Sequence, residues 1–261
     1  MNDPLPRKSL GQHWLEDQAS LKAMCDAAEV AETDTVLEIG PGLGTLTQLL
    51  VEQAREVVAV EFDERLAREL PKRINSSSLS VKNHDILDFD FTTLPPDFKV
   101  VANIPYYLTS NLIRVLSETP NQPSVAVLLV QKEVAQRVDA QPGDMSLLSV
   151  TAQFYWQTGV GPIVPAELFT PPPKIDSQIL ILERRPEPLF PDVDSIKFFR
   201  LVKAGFHERR KKLRSSLSGG LHMSKPDVET LLAKAGIDAN LRAQALSLDD
   251  WYKLYRTLHD T

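Results

Sequence analysis

Short β-branched runs alternate with helical patterns through the first two thirds of the chain, and this alternation constrains the fold more than any other feature. Five runs are predicted to be strands, several of them apolar almost throughout: residues 35–39, 56–62, 79–83, 99–102 and 124–130. Helices are predicted between them at residues 46–55, 64–74 and 109–118. Apolar strands are typical of a parallel sheet covered by helices on both faces. The sequence therefore predicts an α/β fold with a doubly wound, Rossmann-like parallel sheet.

Two later runs, 156–164 and 178–183, are also predicted to be strands. They are separated only by the proline-rich loop 165–177, which is too short for a helical crossover. Consecutive strands joined by such a loop pair antiparallel, because a parallel connection needs a longer crossover. We therefore expect the sheet to end in an antiparallel pair.

The segment 184–192 contains three prolines and marks a domain boundary. Beyond it the pattern is helical, so we expect an α/β domain over residues 1–185 and a small all-helical domain over residues 186–261. The chain carries a net charge of −6, but residues 186–261 carry +3 and residues 1–185 carry −9. An acidic total can therefore conceal a local basic surface.

Five cationic side chains lie within six positions of the helical tail: Arg209, Arg210, Lys211, Lys212 and Arg214. Such a run is usually a solvated helix face. Here it belongs to the net-positive part of the chain, which favours contact with RNA phosphates. Arg7 and Lys8 are candidates for a second contact.

Composition excludes several classes of protein. The single cysteine, Cys25, cannot form an internal disulfide, which fits a reducing cytoplasm. No Cys/His cluster has metal-ligand spacing, so no metal site is predicted. No apolar run is long enough to span a membrane, and the N-terminus lacks the apolar region of a signal peptide.

The first predicted strand runs into a glycine turn, Glu38-Ile39-Gly40-Pro41-Gly42-Leu43-Gly44. Alone, such a turn could equally hold a dinucleotide. However, its spacing is G-x-G-x-G, whereas a pyrophosphate favours G-x-G-x-x-G. Acids also stand at or near the ends of successive strands: Glu38, Glu61 and Asp85. Because these strand ends should converge on one crevice, the pocket would be acidic and floored by Gly40 and Gly42. It suits the cationic nucleoside S-adenosylmethionine.

The fourth strand runs into Asn103-Ile104-Pro105-Tyr106. The Asn103 amide oxygen and the Ile104 carbonyl can each accept an N–H bond from an exocyclic adenine amine, which frees its lone pair to attack a methyl group. Pro105 rigidifies the turn, and Tyr106 can stack on the base. The motif therefore predicts methylation of an adenine amine by positioning and hydrogen bonding.

Together these motifs resemble the KsgA/RsmA family of ribosomal RNA adenine dimethyltransferases, which are related to the Erm methyltransferases. The resemblance covers nearly the whole chain. It comprises KSLGQHWLED (8–17), EIGPGLGTLT (38–47), VEFD (60–63), HDILDFD (84–90), NIPYYLTS (103–110), QKEVAQRV (131–138), FTPPPKIDS (169–177) and FHERRKKLRSSL (206–217).

The resemblance implies specific roles for individual residues. The implied cofactor-contacting positions are His13, Leu15, Gly40, Glu61, Asp85 and Asn103. Phe169 would close on the face of the adenine opposite Tyr106. The implied reaction is the transfer of four methyl groups to two adjacent adenosines near the 3′ end of 16S rRNA, by a cytoplasmic, monomeric enzyme acting on the immature 30S subunit.

The family often has the motif GQNFL where this chain has residues 11–15. Here His13 and Trp14 stand in place of the Asn and Phe of that motif. Tyr107 stands where the family often has Asn, which leaves the role of that position open. Three alternatives also remain: a methyltransferase for DNA or large-subunit RNA, an RNA-binding assembly factor without activity, and a dehydrogenase. The dehydrogenase is disfavoured by the glycine spacing.

Overall fold

The computed structural model describes residues 6, 7 and 10–259. The chain divides into two compact units, Met1–Ala135 with Gln157–Arg184 and Gln136–Trp156 with Arg185–Thr261. We call them the sheet unit and the helical unit. The division differs from the predicted one because residues 136–156, assigned from the sequence to the first domain, cluster with the helical unit.

In the described residues the strands are β1 (Trp14–Leu15), β2 (Thr35–Ile39), β3 (Glu56–Glu61), β4 (Leu79–Asn83), β5 (Lys99–Asn103), β6 (Val125–Gln131), β7 (Trp156–Val164), β8 (Phe169–Thr170) and β9 (Ser177–Arg184). The α-helices are α1 (Gln18–Ala27), α2 (Thr45–Gln53), α3 (Glu64–Arg73), α4 (Thr109–Glu118), α5 (Lys132–Val138), α6 (Leu147–Tyr155), α7 (Ser195–Phe206), α8 (Leu213–Leu221), α9 (Lys225–Lys234) and α10 (Leu248–His259). Among these described helices, none is long and apolar enough to cross a membrane.

The main sheet has seven strands in the order β4-β3-β2-β5-β6-β9-β7. The pairs β4–β3, β3–β2, β2–β5 and β5–β6 are parallel, and β9 runs antiparallel to β6. Every residue of β2 is buried, as expected for a central strand covered on both faces. The predicted Rossmann-like sheet with an antiparallel final pair is confirmed.

A two-stranded sheet at the N-terminus was not predicted. β1 pairs antiparallel with β8, with Trp14 opposite Thr170 and Leu15 opposite Phe169. Helix α1 follows directly, and the Asp17 side chain caps it by accepting a hydrogen bond from the Ser20 backbone N–H at 2.8 Å.

Cys25 on α1 is buried, and burial raises the pKa of its thiol to about 11. It therefore belongs to the apolar core, as its sequence context suggests.

Aromatic side chains explain why residues 136–156 belong to the helical unit. The Phe154 ring on α6 lies 5.0 Å from the Phe198 ring and 6.1 Å from the Phe190 ring, measured between centroids. Val150, one turn earlier, is fully buried in the same cluster. Removing this apolar face of α6 from water favours its packing with the other helices.

Two helices of this unit begin with characteristic N-terminal residues. Helix α9 begins at Lys225 with Pro226 in its first turn. Before α10, the Asp250 N–H donates to the Ser247 hydroxyl at 3.1 Å and the Ser247 N–H donates to the Asp250 carboxylate at 3.0 Å. These reciprocal hydrogen bonds form a capping box.

Candidate active site

The carboxyl ends of the parallel strands meet around one cavity of the sheet unit. Apart from Phe169, every residue predicted for catalysis or cofactor binding lines it. These residues are His13, Leu15, Glu38, Gly40, Gly42, Glu61, Asp85, Asn103, Ile104, Pro105 and Tyr106.

The glycine turn brings backbone close to this cavity. Gly40 and Gly42 have φ angles of +67° and +58°, which side chains rarely adopt. A Cβ on Gly42 would lie 3.3 Å from the Trp14 indole ring, and a Cβ on Gly44 would lie 2.7 Å from the Leu70 side chain. The first two glycines therefore shape the cavity floor, whereas Gly44 allows α2 and α3 to pack together.

Glu61 is held in a fixed orientation at the end of β3. Its carboxylate oxygens accept hydrogen bonds from the Asp63 N–H at 2.8 Å and the Gly42 N–H at 3.2 Å. Burial raises the pKa of Glu61, while these backbone donors oppose the shift. A carboxylate has about four acceptor positions, so Glu61 keeps capacity to accept further hydroxyl groups from a ligand.

Glu38 is the most deeply buried acid of the cavity, with 1% of its surface exposed. Burial raises its pKa to about 8, and the charge of Glu61 adds to the shift. The nearby Thr47 side chain opposes the shift. Glu38 Oε2 is buried and has no hydrogen-bond partner among the described residues. A buried carboxyl with one oxygen free of hydrogen bonds fits a cationic ligand, because a positive charge would compensate its desolvation.

Asp85 stands after β4 and caps a short 3₁₀ turn. Its Oδ1 accepts a hydrogen bond from the Leu87 N–H at 3.0 Å. The residue is partly exposed and lines the cavity, so a ligand can reach its other carboxylate oxygen. With Glu38 and Glu61, it makes the acidic pocket that the strand ends predict.

Asn103 is oriented by the N-terminal segment. Its Nδ2 donates to the His13 carbonyl at 3.2 Å. That bond uses the amide donor, and no hydrogen bond to the amide oxygen is found within the described part of the chain. The side chain is thus arranged with its oxygen as the available acceptor. Ile104 is buried, and the N–H of Leu108 donates to the Pro105 carbonyl at 3.0 Å, closing the turn.

The Tyr106 ring is held from two sides. Its hydroxyl lies 2.8 Å from the Ser177 hydroxyl, and burial raises its pKa. The ring stacks on the His13 imidazole at a centroid distance of 5.8 Å and an interplanar angle of 19°. His13 Nδ1 in turn lies 2.6 Å from the Pro171 carbonyl oxygen. Histidine at this position thus links the N-terminal segment to the proline-rich loop.

Phe169 is not among the residues that line the cavity. Its side chain is 3% exposed and packs in the apolar cluster that also contains Leu15 and Leu21. Pairing of β8 with β1 aligns it with Leu15. Its role in stacking on the adenine stays a prediction.

Two exposed aromatic residues at the cavity were not singled out as site residues. Phe62 and Tyr107 are 60% and 61% exposed, and both line the cavity. The Tyr107 ring lies against Gly11, where a Cβ would approach it to 3.4 Å. Burial and the nearby Asp85 raise the pKa of Tyr107. The available sequence signal was a large apolar or aromatic residue just past a strand-end motif.

Four residues of the predicted basic run, 209–212, lie in a connection between helices, and the fifth, Arg214, lies in the first turn of α8. Helix α7 ends at Phe206 and α8 begins at Leu213. Arg209, Arg210 and Lys211 are exposed, and no ion pair to them is found in the described residues. The two remaining cations are engaged: Lys212 Nζ donates to Asn240 Oδ1 at 2.9 Å, and Arg214 pairs with Glu229 at 2.8 Å.

The candidate RNA contact at Arg7 has another partner in the structure. Arg7 forms an ion pair with Asp63 at 3.4 Å, and the Asp63 side chain is 1% exposed. Its guanidinium therefore compensates a buried carboxylate next to Glu61. Lys8 lies outside the described residues.

Comparisons with known proteins agree with this geometry. The family model described as "Ribosomal RNA adenine dimethylase" matches residues 5–260. The "Ribosomal RNA small subunit methyltransferase A" of Dehalococcoides mccartyi (strain CBDB1) is 40% identical over 257 residues, covering 95% of this chain and 87% of the relative.

Two solved structures are similar over nearly their whole length. A dimethyladenosine transferase from Plasmodium falciparum has a TM-score of 0.79 and 26% identity, with 93% of this chain and 96% of the other covered. The 23S rRNA methyltransferase ErmE has a TM-score of 0.75 and 30% identity, with 95% of this chain and all 100% of the other covered. The chain therefore belongs to the ribosomal RNA adenine dimethylase family and is an S-adenosylmethionine-dependent rRNA methyltransferase.

Proposed function

We propose that this protein dimethylates N6 of two adjacent adenosines near the 3′ end of 16S rRNA, acting as a cytoplasmic monomer on the immature 30S subunit. The observation that carries the chemistry is the Asn103–Tyr106 turn on the wall of an acidic cavity floored by glycines. The choice of small-subunit RNA is supported by the 40% identity to an enzyme named for that subunit. Identity to the 23S enzyme is lower, at 30%.

Asn103 and Ile104 are proposed to bind the acceptor amine. The Asn103 amide oxygen accepts one N–H of the adenine, and the backbone carbonyl of Ile104 accepts the other. Two acceptors on one amine favour a pyramidal nitrogen whose lone pair points into the cavity. Pro105 fixes the turn that presents the carbonyl, with φ at −56°. Positioning then supplies most of the rate enhancement.

Tyr106 is proposed to stack on the target base. Stacking of a base on an aromatic ring contributes roughly 1–3 kcal/mol. Because Ser177 and His13 already fix the ring, little further ordering is needed when a base arrives. Phe169 would complete the sandwich only after its side chain leaves the apolar cluster.

The cofactor supplies an electrophilic methyl group when bound. Glu61 would accept hydrogen bonds from its ribose hydroxyls, Asp85 and the backbone at Gly40 and Gly42 would contact the rest of the nucleoside, and Glu38 would face its positive charge. His13 and Leu15 would close the cavity from the N-terminal segment. The Leu15 carbonyl is held by the Thr45 hydroxyl at 2.8 Å, which ties that segment to the glycine turn.

Label transfer from tritiated S-adenosylmethionine tests the proposal. Purified immature 30S particles should accept label as N6,N6-dimethyladenosine, whereas mature 30S particles, 50S particles and duplex DNA should not. Mature 30S particles are the matched control because they differ mainly in assembly and modification state. Label on 50S particles or DNA alone would contradict the proposed target.

Affinity for S-adenosylmethionine should rise with pH and level off above about pH 8. Burial raises the pKa of Glu38 to about 8, so its carboxyl is mostly protonated at neutral pH. A cationic ligand favours the charged carboxylate and lowers that pKa, so binding releases a proton below pH 8. Affinity should fall by at most about tenfold per pH unit below 8, as measured by calorimetry.

Two variants test whether Glu38 is the acid that causes this pH dependence of cofactor affinity. Glu38→Gln should remove most of the pH dependence, leaving the smaller contribution of Glu61, whose pKa is also raised. Glu52→Gln, at an exposed acid of α2, should behave as the wild type. A steep pH dependence that survives in Glu38→Gln would show that another group titrates.

A further inference from the structure

The helical unit has a concave surface between α7 and α8 whose charged side chains are cationic. Arg200, Lys203 and His207 follow one another at spacings of three and four residues, which places them on one face of α7 and at its end. His222, which ends α8, completes the lining on the other side. None of the described residues lining it is acidic. We call this surface the basic groove.

The cations of the basic groove have no acidic partner among the described residues. Some exposed cations of the helical unit are paired, such as Arg214 with Glu229 at 2.8 Å and Lys253 with Asp250 at 4.0 Å. Others, such as Arg209 and Arg210, have no ion pair among the described residues. The whole protein has a net charge of −6, so acids are plentiful. Cations without an acidic partner that lie together in one concavity create a local positive potential.

Two consecutive glycines in α8 shape the groove. A Cβ on Gly220 would lie 2.5 Å from the Ala204 Cα, so this glycine allows α7 and α8 to pack closely. A Cβ on Gly219 would meet no atom within 4 Å, so packing does not explain that glycine. Glycine inside a helix is less stable than alanine. An open glycine on the groove wall instead lets a ligand approach the backbone.

We infer that the basic groove is a phosphate-binding site for the RNA backbone, additional to the exposed cations at 209–211. The inference rests on the proposed action on RNA, which supplies a polyanionic partner. The groove also adjoins that basic connection in the chain, since His207 precedes it directly. Ile196 lines the groove with 81% of its surface exposed, which suits apolar contact with ribose.

Compensation of a helix dipole accounts for only part of the cluster. Lys203 lies in the last turn of α7, where a positive charge stabilises the helix end. Arg200 lies one turn earlier, beyond the reach of this effect, so the dipole of α7 does not explain its position. Compensation of a helix dipole also leaves the open concavity and the glycine at position 219 unexplained.

Charge removal from the groove tests the inference. Arg200→Gln with Lys203→Gln should weaken binding to a 16S rRNA 3′-terminal fragment on the order of tenfold at about 0.1 M salt. The slope of log Kd against log salt should fall in magnitude by roughly 1.5, since each lost phosphate contact contributes roughly 0.7–0.9. Lys225→Gln with Lys234→Gln, which removes two exposed cations of α9, is the matched control and should change neither quantity.

A second pair of variants tests the groove through Gly219 without removing a cation. Gly219→Glu and Gly219→Gln have the same shape and both favour the helix over glycine. The Gly219→Glu variant should bind RNA at least about fivefold more weakly than the Gly219→Gln variant, because it adds a negative charge to the groove. Thermal unfolding should show both variants at least as stable as the wild type, which separates binding from folding.

Each contrary outcome has a defined meaning. If the wild type methylates immature 30S particles but the groove variants bind RNA as well as their controls, the groove inference is wrong and the proposed function stands. If the variants bind free RNA normally and fail only on the 30S particle, the occupant is a ribosomal protein and the RNA assignment is overturned. If the wild type labels only 50S particles or DNA, the proposed function itself fails.

Discussion

Asn103→Ala is expected to reduce methyl transfer by about 10²–10³-fold while changing the affinity for S-adenosylmethionine only a few-fold. The side chain contributes an acceptor that acts on the reacting nitrogen, and loss of one such positioned group has an effect of this size. Its Nδ2 also anchors the His13 carbonyl, so a small loss of cofactor affinity should accompany the loss of turnover. Single-turnover transfer and calorimetry measure the two effects separately.

Asn103→Asp is the matched control for that variant. Aspartate keeps an oxygen that can accept the amine N–H, but it has no donor for the His13 carbonyl. It should therefore retain much more activity than Ala and bind the cofactor more weakly than the wild type. If the Ala variant turns over within tenfold of the wild type, Asn103 does not act on the acceptor amine.

Replacing Arg209, Arg210 and Lys211 together with Ala is expected to weaken RNA binding about 10²-fold at about 0.1 M salt. The slope of log Kd against log salt should lose roughly 2–3 in magnitude, because each phosphate contact releases counterions. All three side chains are exposed in the connection between α7 and α8. Cofactor affinity should not change, since all the described residues that line the cofactor cavity belong to the sheet unit.

Two control experiments test whether the loss of RNA affinity is specific to these three positions. A triple variant at Lys197, Lys225 and Lys234 removes three exposed cations from other parts of the helical unit and should bind RNA nearly normally. Arg214→Ala should have a smaller effect than any of the three basic positions, because Arg214 is paired with Glu229. Equal losses in both triple variants would mean that total charge, and not this connection, governs binding.

Features that depend on nearby residues could be predicted from the sequence. The apolar runs identified β2 to β6 because a buried strand is apolar along its own length. The strand-end acids Glu38 and Glu61 could be placed in one pocket because parallel strands end at the same edge. Element ends shifted by only one or two residues: the helix predicted over 46–55 is Thr45–Gln53.

Features that depend on distant partners could not be predicted. β1 and β8 have two residues each and pair across more than 150 positions, so no periodic pattern marks them. That pairing aligns Phe169 with Leu15 in the core, whereas the family resemblance implied a ring that closes on the adenine. Likewise, the sequence made Arg7 a candidate for an RNA contact, whereas in the structure it forms an ion pair with the buried Asp63. Positions with similar local sequence can therefore have different roles, because their partners lie far away in the chain.

The assignment of residues 136–156 to the helical unit has a practical consequence for dissecting the protein. The polypeptide passes between the two units three times, at positions 135–136, 156–157 and 184–185. A fragment ending near residue 185 would retain α6 but lose Phe190 and Phe198, against which Phe154 packs. Neither unit can therefore be isolated by a single cut, and a swap of RNA-binding modules between relatives must exchange the inserted segment with the tail.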